Sequence, residues 1–180
     1  MTDDKWIVSR ADGKVFSVAK DFSSPYRLLS SYKGPVTEVV SRVMGTEEVF
    51  ALSERLSLDD LLLIGSSFRK KVWTALFNLT HGENPGPPRP HSYLEVAESL
   101  DMGPGVRSVA HAVGLNPLPI IVPCHLIIPK ESMDRLNDRV EEMGLFSWKA
   151  LYVSERKIDY GDYSLGPKLK RQLINYHLSR

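Results

Sequence analysis

Cys124 and His125 stand side by side, between Pro123 and the run Leu126-Ile127-Ile128. A cysteine attacks carbon as a thiolate. It then needs a base, a source of thiolate character and a path for substrate. His125 supplies the base. The plain alternative is a small core hydrophobe, and the apolar surroundings predict burial of both side chains under either reading. Cys124 is the sole cysteine of the chain. A disulfide framework and a cysteine-rich zinc site are therefore excluded, and a free thiol fits a reducing compartment. His81, His91, His111, His125 and His177 have no metal-ligand spacing, so no metal is expected.

The segment that holds the pair runs Asn116-Pro117-Leu118-Pro119-Ile120-Ile121-Val122-Pro123-Cys124-His125-Leu126-Ile127-Ile128-Pro129. Its four prolines forbid a helix, and the β-branched residues between them predict extended chain. Neighbours on a strand point to opposite faces, so cooperation between Cys124 and His125 requires a turn or a bridging water. Before this segment, two short helices are expected. Ser92 caps the first, which carries Leu94, Ala97 and Leu100. Asp101-Met102-Gly103 makes a turn. Pro104 then opens the second, with Val106, Val109, Ala110 and Val113 inward and Gly114 at its end. The outline is that of a helix-turn-helix. Upstream, Ser66 or Ser67 caps a helix with Phe68, Val72, Leu76 and Leu79 on one face, and Gly82 terminates it. Asn84 to Pro90 is a proline-rich loop.

The first third reads as mixed α/β. Trp6-Ile7-Val8 and Val15-Phe16-Ser17-Val18 flank Asp12-Gly13, a hairpin signal. Pro35 to Val43 fits a strand or a helix. After the cysteine segment, Ser132 is expected to cap a helix with Met133, Leu136, Val140 and Met143 inward, and Lys149 to Val153 is a strand candidate. A final amphipathic helix carries Leu169, Leu173 and Tyr176. It lies in a tail whose Lys168, Lys170, Arg171 and Arg180 face no acid.

The 180 residues include 23 basic and 22 acidic ones, a net charge of +1. The molecule is no polycation, so nucleic acid would have to meet a local patch. No stretch is apolar for long enough to span a membrane. The start Met1-Thr2-Asp3-Asp4-Lys5 is unlike a signal peptide. A soluble protein of nucleus or cytoplasm is expected.

The cysteine segment resembles the N-P-x-P-x-x-x-P-C-H-R signature of the O6-alkylguanine-DNA alkyltransferases, agreeing at every fixed position until the last. Val72-Trp73 and Gly82-Glu83 are similar to the first helix of that family's catalytic domain. Ser92-Tyr93 and Arg107 fall at its S-Y pair and its arginine finger, and Tyr163-Ser164 resembles the Y-S of its substrate loop. The likeness covers residues 66–128 well and 163–178 loosely.

The resemblance implies an α/β (α+β) fold. Residues 1–62 would form an RNase H-like domain. Residues 63–180 would form a mostly helical alkyltransferase domain with a winged or helix-turn-helix element and an insertion near 130–158. It implies irreversible transfer of an alkyl group from O6 of guanine in double-stranded DNA to Cys124, without cofactor, by a monomer. Catalysis would fall to Cys124, His125 acting through a water, Tyr93 and Asn116. DNA would be met by Arg107, inserted where the flipped nucleotide was, with Tyr93, Gly105, Val106 and Ser108. Tyr163, Ser164 and Ile127 would read the base. Phosphate contacts are expected from Lys70, Lys71, Arg89 and the basic tail.

This chain departs from the pattern at three places. Leu126 replaces the arginine after Cys-His. About 26 extra residues precede Tyr163, by comparison with the family spacing. His177 occupies the position of a glutamate that holds the catalytic histidine, so the carboxylate is lost, with Asp159 and Asp162 the nearest acids in the chain. Three further readings stay open: a damaged-DNA binder without transfer, the same fold redirected through the insertion, and a cysteine hydrolase. The hydrolase is disfavoured because no helix start is expected at Cys124.

Overall fold

The computed structural model describes residues 4–83, 85, 89–143 and 159–179. Strand β1 (Lys5–Ala11) pairs antiparallel with β2 (Lys14–Ala19), and β3 (Val39–Gly45) lies on the other side of β1, giving the order β2-β1-β3. The hairpin turns on Asp12 and Gly13, at φ of 48° and 82°. Two successive left-handed residues are what a two-residue turn needs to match strand twist, and the Asp12 carboxylate also accepts from Thr37 and Glu38 amides. Pro35–Val43 resolves towards strand: β3 pairs with β1 along its whole length. Helices α1 (Ser23–Leu29) and α2 (Thr46–Ser53) complete this part.

Helix α3 (Ser67–His81) is capped by Ser66, whose hydroxyl accepts from the Arg69 amide. It buries Val72, Trp73, Leu76 and Phe77, with Phe68 and Leu79 half-buried at the margin. Gly82 ends the helix with φ of −66°, in the ordinary region. Its value is room and not handedness, because a Cβ there would lie 2.8 Å from the Asn78 carbonyl oxygen. Helix α4 (Tyr93–Glu98) begins at a reciprocal box between Ser92 and Glu95, which satisfies two free amides at once.

Between α4 and α5 (Val106–Gly114), the expected turn at Asp101-Met102-Gly103 forms, with Asp101 in the left-handed conformation at φ of 58°. Pro104 lies in a short 3-10 turn, Gly103–Gly105, ahead of α5 and not inside it. Val109, Ala112 and Val113 are the buried face of α5. Trp73 ties α3 to this helix by donating its indole N–H to the Ala112 carbonyl at 2.8 Å.

The proline segment is not the extended chain expected from its composition. Val122 N–H bonds the Leu118 carbonyl, Cys124 N–H bonds the Val122 carbonyl, and Cys124–Leu126 form a 3-10 turn. Only Ile127–Ile128 is strand (β5), pairing in parallel with β4, His91–Ser92. Prolines at alternate positions remove the amides a ladder would use, so the chain folds on itself.

Helix α6 (Lys130–Met143) starts two residues before Ser132, whose hydroxyl instead donates to the Asp159 carbonyl. Met133 and Leu136 are buried. The Val140 and Met143 side chains, the strand expected at Lys149 to Val153, and residues 144–158 of the expected insertion lie outside the described residues. Helix α7 (Pro167–Leu178) buries Lys170, Leu173, Ile174 and Leu178. One apolar cluster runs from Trp6, Val15 and Phe50 through Val72, Trp73 and Leu76 to Ile121, Cys124 and Leu173. Among the described residues, no helix is long and apolar enough to cross a membrane.

Candidate active site

Asn116 organises the turn that carries the sulfur. Its Oδ1 accepts from the Leu118 amide at 3.0 Å, and its Nδ2 donates to the Val122 carbonyl at 2.8 Å and to Cys124 Sγ at 3.0 Å. An asparagine before proline would serve as a turn former in any case, but a direct donor to sulfur is more than a turn requires. Ile120 sits inside the same loop at φ of 76° and is 1% exposed. A β-branched residue there carries strain of about 1–3 kcal/mol, and such strain persists only where surrounding contacts over-determine it.

Cys124 Sγ lies 3.9 Å from the Tyr163 hydroxyl and opens on a cavity of about 1210 Å³. The cavity is lined by Tyr93, Asn116, Asp162, Tyr163 and Ser164, by Val113 to Leu115 at the end of α5, and by Lys20, Asp21 and Ser24 from the first third of the chain. Burial pushes the Cys124 thiol up, while the Asn116 and Tyr163 hydrogen bonds and the positive charge of Lys170 pull it down. Burial also holds Tyr93 neutral, at about 12, and Tyr163 well above its ordinary range, each helped by the nearby sulfur.

Lys170, in the basic tail expected to meet phosphate, is instead fully buried and cannot reach one. Its ammonium donates to the Tyr160 carbonyl and lies 5.9 Å and 5.7 Å from the centres of the Tyr93 and Tyr163 rings. Burial lowers it to about 8, against the pull of Cys124, Asp159 and Asp162. The available signal was its position. Lys170, Leu173, Ile174 and His177 recur at helical spacing, so a lysine stood on the inward stripe.

His125 is fully buried, and its Nε2 lies 3.0 Å from Nδ1 of His177. His177 thus stands where the lost glutamate was expected to act. Asp159 turns its carboxylate to the Gly161 amide instead. Burial, His177 and Lys170 together hold His125 well below the ordinary histidine range. His91, half-buried beside Arg89, is lowered from 6.5 to about 4. Below pH 6.5 the unfolded chain takes up protons that these folded imidazoles refuse, so acid favours unfolding. We expect the unfolding free energy from urea titration to fall between pH 6.5 and 5, with a slope approaching about 1.4 kcal/mol per pH unit for each histidine. A flat profile over that window would mean the two rings are solvated.

Of the other expected site residues, Tyr163 and Ser164 meet Tyr93, Asn116 and Cys124 around the cavity. Ile127 is fully buried in β5 and is absent from the cavity lining. Gly105, Val106, Arg107 and Ser108 stand at the start of α5, with Arg107 and Ser108 exposed. Arg89 is paired with Glu95 at 2.9 Å, and Lys70 and Lys71 are exposed. The expectation of no helix start at Cys124 is corrected, since Cys124 opens the 3-10 turn. That turn is three residues long, too short to gather a helix dipole. Among the described residues, no group of His, Cys, Asp and Glu is arranged to hold a metal ion.

A mixed α/β chain with a buried, hydrogen-bonded cysteine beside two helices is the class this geometry defines. Residues 67–143 match the family described as 6-O-methylguanine DNA methyltransferase, DNA binding domain. A probable methylated-DNA–protein-cysteine methyltransferase of Acanthamoeba polyphaga mimivirus is 37% identical over 86 residues, 48% of this chain and 50% of that one. The constitutive methylated-DNA–protein-cysteine methyltransferase of Bacillus subtilis is 36% identical over 86 residues, 48% of each chain. The chain thus spans about half the length of these curated relatives.

The fold extends further than the sequence likeness. The O6-methylguanine-DNA methyltransferase of Pyrococcus kodakaraensis superposes with a TM-score of 0.56 at 22% identity, covering 96% of this chain and 91% of that one. The Mycobacterium tuberculosis OGT, solved in complex with DNA, gives 0.54 at 21% identity, covering 96% and 86%.

Proposed function

We propose that this protein repairs DNA by moving an alkyl group from O6 of guanine to Cys124, once per molecule. The observation that carries the reading is the sulfur itself. It faces a cavity, with an amide donor, a tyrosine hydroxyl and a buried ammonium arranged around it. A structural cysteine needs none of these. The names of the relatives point to the same chemistry, and no cofactor is required for it.

In the reaction, the thiol proton passes through a bridging water to His125, and the sulfur lone pair attacks the alkyl carbon. The carbon–O6 bond breaks, its electron pair stays with the base, and the proton held by His125 ends on the released guanine. Tyr93, neutral at physiological pH, donates towards the departing base. Tyr163 and Ser164 hold the base in the cavity. Ile127 is assigned its role through the backbone of β5, because its side chain belongs to the core.

The lesion lies in the base stack, so the nucleotide must leave it. Helices α4 and α5 act as a helix-turn-helix, Gly105, Val106 and Ser108 permit close approach to the minor groove, and Arg107 fills the space left by the base. Double-stranded DNA carrying O6-alkylguanine is the partner, and the protein works as a monomer in nucleus or cytoplasm. Residues 1–62 form an RNase H-like unit and 63–180 the transfer unit.

The test is incubation with a duplex carrying O6-methylguanine, followed by intact-mass measurement. Wild type gains the mass of one methyl group in place of a hydrogen, and Cys124→Ser gains nothing. Lesion-selective binding without mass gain would favour the damaged-DNA binder instead. Loss of the family carboxylate at His177 keeps that second reading in play. Arg107→Ala should lower repair of duplex DNA at least tenfold while sparing reaction with free O6-alkylguanine base. Equal losses on both substrates would remove Arg107 from any part in flipping.

A further inference from the structure

We infer that His177 and Phe50 together hold His125 in one neutral tautomer, with its proton on Nε2 and a bare lone pair on Nδ1. The inference rests on the repair reading only for its consequence in transfer, and not for the tautomer.

The contact between His125 Nε2 and His177 Nδ1, 3.0 Å long, needs one donor and one acceptor. If His177 donated, His125 would carry its proton on Nδ1. That atom is buried and has no partner among the described residues. An orphaned buried N–H is the rarer and costlier state. If His125 donates, the orphan is a lone pair, which a proton can fill during reaction. His177 then keeps its own proton on Nε2. Once His125 takes up the thiol proton, its Nε2–H bond to His177 becomes charge-assisted and shortens.

Phe50 fixes both rings. It meets His125 edge-on at 6.0 Å and 81°, and His177 at 5.5 Å and 86°. Tyr176 backs it at 4.5 Å. Phe50 belongs to α2, within the first third of the chain, so that part of the molecule supplies a positioning residue to the imidazole pair. His177 does for ring orientation what a carboxylate would do, without adding negative charge.

Long-range nitrogen–proton correlation of the imidazoles in the folded wild-type protein tests this directly. The expected result places the His125 proton on Nε2, and a proton on Nδ1 overturns the inference. His177→Glu, an acceptor only, should keep that tautomer and transfer methyl at least as fast as wild type. His177→Leu and Phe50→Leu should mix the tautomers and slow transfer about tenfold. Unchanged spectra and rates in both would overturn it. If wild type transfers nothing, the repair reading fails, while the wild-type spectrum still decides the tautomer.

Discussion

Lys170→Met is expected to slow methyl transfer to Cys124 about 3- to 30-fold at pH 7. The replacement keeps most of the side-chain volume and deletes a buried positive charge. A neighbouring charge of this kind shifts a pKa by about 1–3 units. Each unit removes about nine-tenths of the thiolate, while the more basic sulfur that remains is a better nucleophile, with a Brønsted slope near 0.4–0.5. The two effects leave a net loss of about threefold per unit. The sign of the pH dependence follows from Lys170 itself. It titrates at about 8, so wild type loses the same charge as pH rises through that value. The ratio of wild-type to variant rate should shrink towards one between pH 7 and 9.5. A ratio that stays constant across that range would show that the ammonium does not act on the sulfur.

Asn116→Ala should cost about 1–3 kcal/mol of stability. It leaves the Leu118 amide without a partner in a buried loop, and an orphaned group of this kind costs about 1–3 kcal/mol, while the Val122 carbonyl loses one of its two donors and keeps the Cys124 amide. It also releases the restraint on Ile120, whose left-handed backbone has no reason to persist alone. Asn116→Asp separates the two roles. An aspartate still accepts from Leu118 N–H, so stability recovers in part, but its carboxylate faces the sulfur and raises the thiol further. Urea titration should therefore rank the variants wild type, Asp, Ala, while single-turnover transfer places Asp lowest. Identical rankings in the two measurements would refute a direct action of the Asn116 amide on Cys124.

Much of this was legible in the residues. Asp12-Gly13 announced the hairpin because few pairs accept two left-handed conformations. Ser66 and Ser92 announced their helices because a side-chain oxygen before an apolar stripe has little else to cap. Asn116, Tyr93, Cys124 and Tyr163 were placed together by what the family resemblance implies, and they do surround one cavity. The turn at Cys124 was not legible. Prolines exclude helix and ladder alike, and the choice among irregular paths was made by Asn116 reaching eight residues along the chain. Lys170 was misread for a different reason. Charge predicts exposure by composition, and only the helical stripe, read against that expectation, places it inside. Phe50 gave no signal at all, since contact between α2 and the two imidazoles arises from tertiary packing.

Val18, on the free side of β2, donates its amide to the Pro117 carbonyl at 2.9 Å, so the hairpin and the sulfur-bearing loop share a seam. A fragment beginning at residue 63 would leave that carbonyl wet and the imidazoles without Phe50. Expressing the two stretches apart, or grafting the C-terminal one onto another carrier, should therefore open the shared core and lose the reactive edge.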